Sequence, residues 1–337
     1  MLCVLTYHRI VEREDDPECT PGMISATQER FDAHVRFLTR HYEPVALEQV
    51  LRGVRQRANL PRRAVLITFD DGYRDFATAA WPILKRHQVP ATLFVPTAYP
   101  DRPGPVFWWD RLYRSLIETS KESLHAPSVG ALTLRNEEER RASFLTIRAR
   151  LKGLLHDDAM QLVDRLCADL GGSREHESST ILSWEALRAL ASDGVSLASH
   201  THTHPLLNRI SPEQARTEFT TSIRTLEREI GPAFPVVSYP NGAHDDSVLD
   251  VLRQCGVELG FTQLPGHNDL SACDPLRLCR INVTRRTSVA LLHLRMQSWF
   301  APIERWRKRK RIRAYQSPVA SPALYEESRP SRGATPA

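Results

Sequence analysis

Two short stretches of this sequence gather side chains that do chemistry. The first is Thr68-Phe69-Asp70-Asp71-Gly72-Tyr73. Adjacent carboxylates repel each other unless a cation or a proton relieves them. Neighbouring residues at a strand end point in different directions, so one carboxylate can hold a metal while the other faces a water molecule. An Asp-Gly pair is also an ordinary turn or helix start, and on this stretch alone the two readings weigh evenly. The second stretch is Ser199-His200-Thr201-His202-Thr203-His204-Pro205. So dense a run of histidines is hard to explain as core packing. His200 and His204 are four residues apart and share a face if the segment turns helically, a spacing common to pairs of metal ligands. His202 would then point away. One carboxylate and two imidazoles leave coordination positions open for water or substrate. Such a set suits a divalent metal, Zn²⁺ first, with Co²⁺, Ni²⁺ and Fe²⁺ as alternatives.

Both stretches follow segments that read as buried strands. Ala64 to Phe69 is a continuous apolar run with β-branched residues, the mark of a strand covered on both faces. Val195 to Ala198 precedes the histidines. Active sites in parallel barrels stand at the C-terminal ends of such strands. Around them the chain alternates strand and helix. Leu2 to Thr6 is a strand, followed by a polar loop from His8 to Met23; Ala26 to His41 and Val45 to Arg52 are helices, the second ended by Gly53. Phe76 to His87 is a helix and Ala91 to Val95 a strand. The rhythm breaks over residues 100 to 180, where helices are predicted at Leu112 to Glu118, Glu137 to Leu155 and Asp158 to Leu170. It resumes with helices at Trp184 to Ser192, Glu213 to Ile230 and Asp246 to Cys255, the last capped by Asp246. Late strands are expected at Val236 to Tyr239, Leu259 to Thr262 and Leu278 to Val283, with a closing helix at Val289 to Phe300. The expectation is an α/β domain over residues 1 to 304, with a helical insertion at about 100 to 180, and a basic tail turning Ser/Pro-rich and disordered over 305 to 337.

Composition bounds the rest. The 337 residues are 41% hydrophobic and 25% charged, which is ordinary for a globular chain. Much of the formal charge of +5 sits in the run from Arg305 to Arg313, so no nucleic-acid surface is indicated. That basic run is expected to touch an anionic membrane at most peripherally. The six cysteines are scattered without a C-x-x-C pair; reduced thiols in the cytoplasm are the simpler reading, with secretion kept open by the even count. No signal peptide is seen, and no stretch approaches the ~20 apolar residues of a membrane span.

On the T-F-D-D-G-Y and H-T-x-x-H-P motifs, the chain resembles the NodB-homology polysaccharide deacetylases, carbohydrate esterase family 4, over roughly residues 1 to 300. The Tyr7-His8 start resembles an exopolysaccharide-modifying subgroup. The resemblance implies a distorted (β/α) barrel with fewer than eight strands. It implies Asp70 as general base and Asp71, His200 and His204 as metal ligands. The family's Arg-x-Pro-aromatic-Gly stretch corresponds to Ser238-Tyr239-Pro240-Asn241-Gly242, with Ser238 in place of the arginine and Asn241 in place of the aromatic residue. A backbone N–H near Asn241 can still stabilise an oxyanion. Arg280 is the expected substitute for the lost arginine that braces the catalytic Asp. Tyr239, Asn241, Arg280 and Trp108 are expected around the substrate and the oxyanion. The family's late Leu-x-His corresponds by letters to Leu292-His293-Leu294, which lies in an amphipathic helix. His8, after the first strand, is the better general acid, against the plainer reading of a histidine capping a loop. The implied function is metal-dependent hydrolysis of the acetamide of N-acetylated sugars or polysaccharide precursors, releasing acetate and a free amino sugar. The alternative is a catalytically silent sugar-binding module on the same fold. A two-metal phosphoesterase needs more carboxylates than this sequence places.

Overall fold

The computed structural model describes residues 1–13, 16, 19–104, 106–171 and 180–306. The chain opens with β1 (Leu2–Tyr7), the short pair β2 (Arg9–Val11) and β3 (Ile24–Thr27), α1 (Gln28–His41), a two-residue β4 (Glu43–Pro44) and α2 (Leu47–Gln56). Next come β5 (Ala64–Phe69), a π-helical turn over Phe76–Ala80 that runs into α3 (Trp81–Arg86), and β6 (Thr92–Val95). The segment that breaks the rhythm contains α4 (Trp108–Glu118), strands β7 (Ser123–Ala126) and β8 (Gly130–Thr133), α5 (Glu137–Leu151) and α6 (His156–Asp169). The remainder is α7 (Trp184–Ser192), β9 (Ser196–Ser199), α8 (Pro212–Ile230), β10 (Val236–Ser238), α9 (Asp246–Gln254), β11 (Leu259–Phe261), β12 (Ile281–Asn282) and α10 (Val289–Arg295).

The main sheet is parallel, in the order β11-β10-β9-β6-β5-β1-β12, with β4 beside β5. It curls until the segment before β12 meets the opposite edge, where Leu278 bridges Phe261. This is the distorted (β/α) barrel that the motifs imply. The strands have two buried faces, and the alternation of side chains sorts them. Leu5, Ile67, Leu93 and Leu197 face outward under α1, α3 and α7. Val4, Leu66, Phe94 and Ala198 face inward, where α2 packs Leu47, Val50 and Leu51 against them. Higher on the same inner parity the fillers turn polar: Thr6 and Thr68 are paired in register, and their hydroxyls lie 3.3 Å apart. One further step along that parity brings the chain to His8 and Asp70.

Several expectations are corrected. Gly53 does not end the second helix. It lies within α2, where its missing side chain admits Leu270 and Leu60, and the stop comes at Arg57, left-handed at φ 50°. Asp245, not Asp246, caps α9, its carboxylate accepting from Val248 N–H. The insertion is not wholly helical: β7 and β8 form an antiparallel hairpin whose alternation of buried and exposed residues is too short to stand out in the sequence. It has its own core, in which Leu112, Leu116, Phe144, Ile147, Leu162 and Leu166 meet. The closing helix breaks after Arg295 and resumes as a short 3₁₀ turn at Ser298–Phe300. The tail from residue 307, with most of the basic run, lies outside the described residues. Among the described residues, no helix is long and apolar enough to cross a membrane, and all six cysteines are free.

Candidate active site and metal centre

The site is built where β5, β9, β10 and the segment before β12 end on one rim. Asp70 still belongs to the sheet, since its N–H donates to Tyr7 C=O at 3.0 Å. Asp71 and Gly72 then both turn left-handed, at φ 76° and 69°. This twist sends the two neighbouring carboxylates to different tasks. The oxygens of Asp70 each accept from the Arg280 guanidinium at 2.8 Å. Burial alone would raise the Asp70 carboxyl, but Arg280 first, with His200 and His8, holds it below the usual carboxylate range. The Ser238 hydroxyl lies 3.3 Å from both Asp70 oxygens.

Asp71 faces the histidine loop. Its Oδ1 lies 3.3 Å from Nε2 of His200 and 3.3 Å from Nε2 of His204. The three ligand atoms lie within 4.8 Å of one another. A tetrahedral ion with arms of about 2.0–2.1 Å needs donor atoms about 3.3 Å apart, so the donor set and the two distances from Asp71 fit a zinc-like cation. The second nitrogen of His200, Nδ1, lies 2.8 Å from Ser238 C=O; donating there fixes the tautomer that leaves Nε2 lone-paired toward Asp71. Burial lowers the pKa of His204, only partly opposed by Asp71. That of His200 is lowered by burial too, yet Asp70 and Asp71 carry it above its usual value. Asp71 is held below its usual range against burial, by hydrogen bonding to both histidines. His202 turns aside, its Nδ1 3.0 Å from the Thr97 hydroxyl.

The other expected residues divide. His8, Trp108 and Asn241 line the same cleft as Asp71, His200 and His204. His8 is half-buried, its N–H anchored on Ser25 Oγ at 2.8 Å. Asn241 is left-handed at φ 54°, and its side-chain oxygen accepts from Lys152 Nζ at 2.9 Å. Tyr239 does not reach the cleft. Its ring is fully buried, its hydroxyl donates to Leu276 C=O at 2.8 Å, and its N–H is used by Phe261 C=O. Gly260 makes this possible, since a β-carbon there would stand 2.1 Å from the Tyr239 hydroxyl. Arg280 is likewise no surface for substrate. It is fully buried behind Asp70, with Nε donating to Thr262 C=O at 2.7 Å. The position of the missing arginine, Ser238, therefore still faces Asp70, while the guanidinium arrives from the neighbouring segment. His293 lies exposed on α10 against Phe37, on the outer layer.

Sequence reasoning missed three parts of the site. Leu151, Lys152, Leu154 and Met160 of the insertion wall the cleft opposite the rim. Tyr73, Trp109 and Asp110 form a buried chain behind His204: Trp109 Nε1 donates to Tyr73 Oη at 2.9 Å, which donates to Asp110 at 2.8 Å. Glu218, on α8, caps the histidine loop. Of the Trp-Trp-Asp run the sequence points only to Trp108, and no local pattern singles out Glu218.

Comparison with known proteins agrees with this geometry. The polysaccharide deacetylase family model matches residues 57–260. YxkH of Bacillus subtilis (strain 168), which carries the name of a polysaccharide deacetylase, is 21% identical over 266 residues, covering 79% of this chain and 65% of its own length. The poly-β-1,6-N-acetyl-D-glucosamine N-deacetylase of Escherichia coli (strain K12) is 33% identical over 100 residues, 30% of this chain and 14% of that protein. The chain thus spans under two thirds of either relative. Among solved structures, the Streptococcus pyogenes deacetylase PplD superposes with a TM-score of 0.58 at 20% identity, over 88% of this chain and 98% of that one. IcaB from Ammonifex degensii gives 0.56 at 18% identity, over 88% and 97%. Motifs, barrel and family match agree, and the chain belongs to the polysaccharide deacetylase family.

Proposed function

We propose that this chain hydrolyses the acetamide of N-acetylated glycans or their precursors in a metal-dependent reaction, releasing acetate and a free amino sugar. The observation that carries the reading is the convergence of His200 and His204, each with Nε2 3.3 Å from Asp71 Oδ1, beside a separately held Asp70. Asp71, His200 and His204 would hold the ion, with Zn²⁺ the best match to one carboxylate and two imidazoles. When bound there, such an ion supplies Lewis-acid polarisation of a carbonyl oxygen and acidification of water.

The chain's own residues do the rest. Asp70 is ionised at neutral pH, because Arg280 holds its proton affinity down, and it accepts the proton of the attacking water. Asn241, with its strained left-handed backbone at the cleft edge, offers an N–H to the developing oxyanion. His8 continues β1 one step beyond the Thr6–Thr68 register, beside Asp70, and protonates the departing amine. Trp108 on the opposite wall offers an aromatic face to a sugar ring. The 33% identity to a poly-N-acetylglucosamine deacetylase makes β-1,6-linked N-acetylglucosamine oligomers the first substrate to try. The test is acetate release by the full chain from a panel of N-acetylated sugars and oligomers, with and without chelator. Chelation should abolish release, and Zn²⁺ or Co²⁺ should restore it. Full activity of metal-free protein would overturn the mechanism.

A further inference from the structure

We propose that Glu218 is a positioning residue of the metal centre: from α8 it fixes the backbone of residues 201–204, and so decides where His204 stands relative to Asp71 and His200. The inference rests on the reading of those three residues as ligands.

In the loop after β9 the carbonyls of Thr201, His202 and Thr203 accept from Thr97 N–H, Ala98 N–H and the Tyr99 hydroxyl, but its N–H groups must find acceptors among side chains. Each of four consecutive N–H groups meets a side-chain oxygen. Thr201 N–H donates to Ser199 Oγ at 3.1 Å, and His204 N–H to Thr201 Oγ1 at 3.1 Å. Between them, His202 N–H and Thr203 N–H both donate to Oε2 of Glu218, at 2.8 and 2.7 Å. The other Glu218 oxygen, Oε1, accepts from the Thr203 hydroxyl at 2.5 Å. Hydrogen bonds to an ionised carboxylate are about twice as strong as neutral ones, so Glu218 is the strongest of these anchors.

The loop needs an anchor because it is strained. Thr201 and His204 are both left-handed, at φ 67° and 61°. A β-branched residue there is a true outlier, and such conformations cost about 1–3 kcal/mol each, persisting only where the surroundings dictate them. The two ligands also differ in how their rings are held. His200 is locked through Nδ1 to Ser238 C=O. Among the described residues, no hydrogen bond reaches Nδ1 of His204; its ring stands between the edges of Phe107 and Trp109, with centroids 5.4 and 5.1 Å away. The orientation of His204 therefore depends on its backbone, and among the described residues Glu218 is the one carboxylate that anchors the N–H side of that backbone.

The test measures zinc affinity of the full chain by competition with a chromophoric chelator, for wild type, Glu218→Ala, Glu218→Asp and Glu218→Gln. Removing an outer partner of a metal ligand lowers affinity about 10–100-fold, and Glu218→Ala should fall in that range. Glu218→Asp, one methylene short of the loop, should fall with it; it keeps the charge should the alanine variant fold poorly. Glu218→Gln retains a carbonyl oxygen for the two N–H groups, and the Thr203 hydroxyl can turn to accept from its amide, but it loses the charge that strengthens these bonds, so this variant should bind zinc more weakly than wild type and more tightly than alanine. Melting of the metal-free proteins separates a general loss of fold from a loss confined to the site. Zinc binding by Glu218→Ala as tight as wild type overturns the inference alone, as does a glutamine variant that binds as weakly as alanine. A wild-type chain that binds no zinc overturns the ligand reading itself, and this inference with it.

Discussion

The rim of strand ends and the inserted segment face each other across one cleft, and each buries a carboxylate, on opposite electrostatic terms. Asp70, on the rim, meets a guanidinium through two parallel hydrogen bonds and is held below the usual carboxylate range. Asp110, in the insertion, accepts from the hydroxyls of Tyr73 and Thr20, and burial raises it, outweighing those hydrogen bonds and the more distant Arg9. A buried charge opposite a fixed counter-charge is ready to take part in proton transfer at neutral pH. A buried carboxyl among hydroxyls is suited to tying surfaces together, and here it ties α4 to the Asp71-Gly72-Tyr73 turn. The comparison teaches that burial of an acid alone does not mark chemistry; what faces it does.

The largest effects should come from breaking the rim. Asp70→Asn keeps the shape and removes the proton acceptor, and His8→Ala removes the proposed acid. Each should lower kcat by about 10²–10⁴-fold on an acetamide substrate, with zinc content unchanged by metal analysis. His8→Ala should matter less on an acetate ester, whose leaving group needs less protonation, and His293→Ala should be nearly silent. Loss of metal in Asp70→Asn would mean that Asp70 and Asp71 have exchanged roles. A large defect in His293→Ala with a silent His8→Ala would move the acid to α10.

The counter-charge is the next point of attack. Arg280→Met leaves a buried carboxylate without its partner, which costs about 3–5 kcal/mol, measurable as a fall in the urea midpoint. The pH dependence has a definite sign. In wild type the depressed carboxyl contributes stability that is present above the unfolded-state pKa and lost as pH falls through the folded one. In Arg280→Met burial acts unopposed by the guanidinium, so the deficit should be greatest at neutral pH and shrink on acidification. A variant as stable as wild type at neutral pH would show that Arg280 is not what keeps Asp70 charged.

How much of this was legible follows the same division. Asp70, Asp71, His200 and His204 were readable because the two short motifs that hold them begin where β5 and β9 end, so that a local motif and a strand end coincide. Arg280 was readable as a substitute because a missing arginine left a carboxylate in need of a counter-charge, though its burial removed it from the substrate side. Tyr239 was misplaced because direction along a three-residue strand depends on a contact 21 residues away, the space left by Gly260. The hairpin of the insertion was not readable, because four-residue strands carry too little periodicity. The helix α5 was readable, with Phe144, Ile147 and Leu151 buried at helical spacing, but the wall that its C-terminal end gives to the cleft was not. Glu218 lies on an exposed-looking helix face, and only the folded loop reveals what its carboxylate caps.

The smallest effect, and the sharpest test of the comparison, is expected on the insertion side. Asp110→Asn keeps one carbonyl acceptor for the Tyr73 hydroxyl, and Tyr73 keeps the Trp109 N–H that it accepts. The new amide meets Thr20, whose hydroxyl can turn to accept. Rearranging this one hydrogen bond costs about 0.5–1.5 kcal/mol, and removing a desolvated charge from among neutral partners offsets it. The net change at neutral pH should stay within about 1 kcal/mol, well short of Arg280→Met. The sign with pH is also opposite to that of the rim. Because the folded-state pKa of Asp110 is raised, the wild type carries no penalty below the unfolded pKa, and the penalty grows as pH rises through the folded one. The stability difference between Asp110→Asn and wild type, measured by chemical unfolding at a series of pH values, should therefore shift in favour of the variant as pH rises. Zinc affinity should be unchanged, since the variant keeps the acceptor that holds Tyr73 beside the Asp71-Gly72 turn and meets His204 through the Trp109 ring edge. A loss as large as that of Arg280→Met, or a difference that shifts against the variant with rising pH, would mean that Asp110 is charged and matched in the fold, and the contrast between the two walls of the cleft would collapse.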